Sequence, residues 1–126
     1  AVTIIDAPPG TSCPVITAVN KTDFVILVTE PTPFGRHDLS LAVETVRTLG
    51  IPHGIVINRA GLGDNSIHEY AQEQQIPILL EIPFEKKMAR IYSTGGILAN
   101  EVPGLKARFR KMYRQIESMV AKETES

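Results

Sequence analysis

The stretch Val2-Thr3-Ile4-Ile5-Asp6-Ala7-Pro8-Pro9-Gly10-Thr11 holds the residues best suited to chemistry, because a β-branched apolar run ends in an acid and a glycine follows four positions on. Many nucleoside triphosphatases place a magnesium-linked aspartate beside a mobile loop near the γ-phosphate in this order. The other half of such a site is not found in the sequence. No G-x-x-x-x-G-K-[ST] occurs, nor any lysine-bearing glycine loop able to cradle phosphates. The expectation is part of an ATPase, one that does not hydrolyse ATP by itself.

Other reactive side chains offer less. Cys13 is the single cysteine, so it forms no internal disulfide or metal cluster alone, which fits a reducing cytoplasm. It stands near the start of an expected helix, a place that favours thiolate; a buried inert thiol is the commoner alternative. His37, His53 and His68 fall on separate segments without the spacing of a metal site or a catalytic triad, and read as surface or packing histidines. Lys106, Arg108, Arg110, Lys111 and Arg114 crowd one expected helix, a pattern more typical of a solvated face than of a nucleic-acid site. A net charge of -1 supplies no field suited to nucleic acid or anionic membranes.

The elements that must position these residues follow from apolar patterning. Residues 2–6, 24–29, 54–58 and 78–82 read as buried strands bounded by turn residues. The runs Phe24-Val25-Ile26-Leu27-Val28 and Ile55-Val56-Ile57 are continuous, as in parallel sheets covered on both faces. Helical spacing of Leu39, Ala42, Val43, Val46 and Leu49 predicts a helix over 36–49, with Gly50 to cap it and Pro52 to bar continuation. Ser66 and Glu69 stand at capping-box spacing for a further helix running to Gln75, and 84–93 is another helical stretch. Leu105, Phe109, Met112, Ile116 and Val120 recur at steps of three and four, which predicts an amphipathic helix lying on the sheet as a structural cover. Residues 122–126 read as a frayed tail beyond a single domain over 1–121.

Strands alternating with helices indicate βαβ units, hence an α/β fold with three layers, αβα, and a mostly parallel sheet. No run is long enough to span a membrane, and 126 residues suit one domain with a real core. The start at Ala1, almost inside a strand, suggests a processed piece of something longer.

In order along the chain, Ile5-Asp6-Ala7-Pro8-Pro9-Gly10-Thr11-Ser12-Cys13-Pro14-Val15, Val28-Thr29-Glu30-Pro31-Thr32-Pro33-Phe34-Gly35-Arg36-His37-Asp38-Leu39, Ile57-Asn58-Arg59 and Ile82-Pro83-Phe84 resemble blocks of MinD/ParA/Mrp-type P-loop ATPases. The resemblance is strongest to the C-terminal half of the MinD-like branch that carries an inserted ferredoxin domain, and it extends to about Asn100.

That resemblance implies ATP and magnesium as ligands and 4Fe-4S clusters in an upstream cysteine-rich insert. It also implies a homodimer and an iron–sulfur or electron-transfer partner. Asp6 would hold a water of the magnesium shell and Gly10 would offer its N–H near the γ-phosphate. Asn58 would hydrogen-bond the adenine edge with Arg59 beside it, and Pro83-Phe84 would form part of the base pocket. All of these would lie at carboxyl ends of strands around a common cleft. Plainer alternatives stand beside these roles: Asp6 as a strand-end cap, Asn58 as a turn former, and Arg59 as a solvent-facing cation. A phosphate-loop strand between 2–6 and 24–29 is also implied, and its absence would leave a gap in the sheet that 2–6 shifts to close or another molecule fills. A dimerisation or partner-docking module that binds no nucleotide is the competing reading. A signalling receiver domain is excluded, since its additional acids and its lysine after a later strand are missing.

Overall fold

The computed structural model describes residues 2–7, 13–61, 63, 65–83 and 104–125. Helix α1 (Cys13–Val19) leads into strand β1 (Val25–Thr29), then α2 (Pro33–Leu49), β2 (His53–Ala60), α3 (Ser66–Gln74), β3 (Ile78–Pro83) and α4 (Leu105–Glu125). The three strands form one parallel sheet in chain order, β1-β2-β3. Helices lie on both faces, giving the expected three-layer α/β architecture.

The continuous apolar runs decide the layers. On one face Leu27, Ile55 and Ile57 pack against Leu39, Val43 and Val46 of α2 and Ile67, Tyr70 and Ala71 of α3. On the other, Val56, Leu79 and Leu80 meet Phe109, Met112, Ile116 and Met119 of α4. The three- and four-residue spacing read from the sequence thus builds the second cover, and α4 stays helical to Glu125, past Lys122 where fraying is expected. Arg108 fastens it by donating from Nη2 to the Glu81 carbonyl at 2.8 Å.

Several boundaries differ from expectation: β2 runs over His53–Ala60 rather than 54–58, and β1 and β3 each shift by one residue at one end. Helix α2 starts at Pro33 rather than Arg36, because the Thr32 hydroxyl caps it by accepting from the Gly35 N–H at 2.9 Å and proline is favoured in the first turn. Its end is as expected, with Gly50 left-handed at φ 71°. Helix α3 takes Asn65 as its N-cap and begins at Ser66, so Ser66 and Glu69 form no capping box. Residues 2–7 form no strand, which corrects the expectation for 2–6: Val2, Ile4 and Ile5 stand 63%, 90% and 55% exposed. A β-branched run becomes a strand only beside a partner, and 2–7 do not pair with β1. The helix expected over 84–93 lies outside the described residues.

Tyr70 links this packing to pH. Burial raises its pKa above 10.0, against the lowering effect of Arg47 and Arg36, and Glu44 adds to the rise. The neutral phenol is therefore favoured by folding, so its contribution is complete below pH 10.0 and is lost as pH climbs through the raised value. Tyr70→Phe is expected to flatten the alkaline end of a stability profile measured by circular dichroism, leaving the neutral region little changed.

Candidate functional site

The carboxyl ends of β1, β2 and β3 form one rim, where open parallel α/β sheets bind ligands. In the ladder, Thr29 stands opposite Ile57, Asn58 opposite Ile82, and Ala60 opposite Pro83. Asn58, Arg59 and Pro83, from two separate segments, are thereby brought together. Asp6 is not at a strand end: it is an exposed acid within 2–7. Gly10 and Phe84 lie outside the described residues.

Arg59 is built in an uncommon way. The register of β2 against β3 shifts between Asn58 and Ala60, so Arg59 is a bulged residue, and its φ of 55° is left-handed. The Asn58 side chain supports the bulge, its Oδ1 accepting the Arg59 N–H at 3.0 Å. From there Nε of Arg59 reaches Oε1 of Glu30 at 3.6 Å, with the two side chains 57% and 48% exposed. A left-handed non-glycine residue costs about 1–2 kcal/mol; an exposed ion pair such as this one is worth about 0.2–1 kcal/mol. Lys21 and Gln75 adopt the same left-handed region, at φ 70° and 56°.

Glu30 is fixed from the main-chain side. A Cβ on Gly35 would stand 2.1 Å from the Glu30 carbonyl oxygen, and one on Gly63 would stand 1.7 Å from that of Pro31. The two glycines let α2 and the loop after β2 close on the Glu30-Pro31 segment. Thr29 completes the clamp by donating Oγ1 to the Gly35 carbonyl at 3.1 Å. Glu30 carries no motif signal as a site residue; its pairing with Arg59 exists only in three dimensions.

A second polar pair joins the layers. His68 of α3 and Glu81 of β3 lie 2.6 Å apart through Nε2 and Oε1, consistent with a packing role for that histidine. Among the described residues no three His, Cys, Asp or Glu side chains gather as a metal site. Among them too, no helix is long and apolar enough to cross a membrane.

No family model matches the chain. Two curated relatives are uncharacterized proteins of Methanocaldococcus jannaschii. MJ0579 is 36% identical over 94 residues, covering 75% of this chain and 32% of its own length. MJ0578 is 25% identical over 117 residues, covering 93% of this chain and 40% of its own. The chain therefore spans well under half of the curated relatives it matches. Among solved structures, the Pyrococcus furiosus cell division ATPase MinD superposes with a TM-score of 0.68 and 23% identity over 90% of this chain and 50% of its own. The MinD cell division protein of Aquifex aeolicus gives 0.72 and 17% over 89% and 51%. With its parallel sheet, its two helical covers and these neighbours, the chain has a MinD-like α/β fold.

Proposed function

We propose that this chain is the C-terminal, base-binding part of a MinD-like cytoplasmic ATPase associated with iron–sulfur domains. The observation that carries the reading is the meeting of Asn58, Arg59 and Pro83 on one carboxyl rim through the parallel register of β2 and β3. In this reading Asn58 hydrogen-bonds the adenine edge, Arg59 lies beside the ring, and Pro83 with Phe84 lines the base pocket. Asp6 holds magnesium through water, and Gly10 offers its N–H to the γ-phosphate.

The donor set fits magnesium in that manner. A hard cation that keeps several waters and takes its other oxygens from phosphates needs few protein ligands, and Asp6 is an exposed carboxylate able to accept from such a water. Magnesium would supply charge neutralisation at the phosphates. Iron–sulfur clusters do not fit this chain by itself, since they require several thiolates and Cys13 is the only cysteine. They belong, in this proposal, to another part of the assembly.

Titration of the 15N-labelled chain with ADP and magnesium tests the reading. Amide shifts centred on Asn58 and Arg59 are expected, and Asn58→Ala should weaken binding about tenfold, as loss of a paired buried polar contact does. Wild-type spectra that stay unchanged to millimolar ADP would overturn base binding.

One observation favours the competing module that docks without nucleotide. Among the described residues β1 has no strand partner on its outer edge, and its residues Ile26 and Val28 are 41% and 67% exposed. Unchanged ADP spectra together with a concentration-dependent dimer in sedimentation would select that reading.

A further inference from the structure

We propose that Glu30 is a positioning residue for Arg59, setting the guanidinium plane across the tips of β1 and β2 so that its flat face meets a purine. This rests on the base-binding reading above and adds to it a residue from a different strand.

The inference comes from how the two partners are anchored. Arg59 starts from a bulge that Asn58 braces, with φ at 55°. Glu30 starts from a segment compressed between Gly35 and Gly63 and tied by Thr29. Both side chains thus spring from fixed main chain, and their contact joins Nε to Oε1. A carboxylate on Nε restrains rotation of the planar group, and an oriented guanidinium stacks on a base where a mobile one must first be ordered. Exposure of both groups makes the pair a poor stabiliser but keeps it accessible to a ligand.

The chemistry asked of Glu30 is modest. It makes no contact with phosphate and transfers no proton; its negative charge and reach hold Arg59 in one rotamer. Replacing it with glutamine keeps the shape and removes the charge. Lysine at position 59 keeps the charge and removes the plane.

ADP titrations with magnesium on the wild-type chain, Glu30→Gln, Arg59→Lys and the double variant separate the possibilities. Glu30→Gln is expected to weaken ADP binding about fivefold, and to have no additional effect in the Arg59→Lys background. In ligand-free spectra the Arg59 Nε–H signal should be sharp in the wild type and broadened in Glu30→Gln, a change that general destabilisation would not confine to one side chain. Thermal melts that coincide for wild type and Glu30→Gln would exclude unfolding as the cause. Wild-type ADP binding that survives unchanged in Glu30→Gln, or a fivefold loss that persists beside Arg59→Lys, would overturn the role of Glu30 while leaving base binding intact. Absence of ADP binding by the wild type would instead remove the base-binding reading, and this inference with it.

Discussion

Gly35→Ala is expected to destabilise the chain by about 3 kcal/mol, at the upper end for overpacking, because the added methyl meets main chain. Its Cβ would fall 2.1 Å from the Glu30 carbonyl oxygen and 3.1 Å from the Thr29 hydroxyl. Neither neighbour is the far end of a flexible side chain, so relief requires moving the first turn of α2 away from the tip of β1. That movement breaks the bond from Thr29 Oγ1 to the Gly35 carbonyl and disturbs the Thr32 cap. Urea unfolding followed by circular dichroism measures the loss. Phe34→Ala, one residue away and 84% exposed, is the control and should change stability by less than about 0.5 kcal/mol. Equal stability of Gly35→Ala and the wild type would show that the turn between β1 and α2 is looser than described.

Ile55→Ala should have a still larger effect, about 4 kcal/mol. Ile55 lies in the central strand with 0% exposure, enclosed by the cluster that joins the sheet to α2 and α3. Its parallel neighbours, Leu27 on one side and Ile78 on the other, hold the backbone in register and leave little room for collapse into the void. Domains of this size hold roughly 5–15 kcal/mol in total, so this one side chain is a large share. The urea midpoint should fall with an unchanged slope. A fall of less than about 1 kcal/mol would mean that the layer of α2 and α3 repacks freely.

The sequence made some of this legible for clear physical reasons. Strands β1, β2 and β3 are runs apolar on both sides, a pattern that suits strands covered by helices on each face. Helix α4 declares itself through Leu105, Phe109, Met112 and Ile116, because a long amphipathic period has few competing interpretations. Residues 2–7 show the limit of such signals: local preference for extended chain does not supply a hydrogen-bonding neighbour. The first turn of α2 carries no apolar period of its own; it forms because the Thr32 hydroxyl caps it and Pro33 fits its first turn.

At the rim, the position of Asn58 near the carboxyl end of β2 could be read, since a polar residue closes the apolar run, although the strand continues through Arg59 to Ala60. The conformation of Arg59 could not, because arginine has no preference for left-handed backbone and the bulge depends on the register with β3. Glu30 escaped notice for a related reason. Its significance comes from the closeness of Arg59, which is 29 positions away in the chain and adjacent only after β1 and β2 pair. The glycines that clamp its main chain were likewise indistinguishable from ordinary turn formers.

The sheet order also bears on how the molecule assembles. Among the described residues, the larger contacts join elements that are consecutive or one element apart in the chain: β1 with α2, β1 with β2, α2 with α3, β2 with β3, and β3 with α4. Each strand pairing encloses a helical crossover, and β3 meets α4 only across residues 84–104, so a loop of many residues closes before each of these contacts forms. Parallel pairing requires a crossover before two strands can meet, which places domains of this kind between helical bundles and all-β barrels in folding rate. During synthesis, the layer formed by β1, α2 and β2 can consolidate before α4 emerges from the ribosome, and α4 then covers the opposite face.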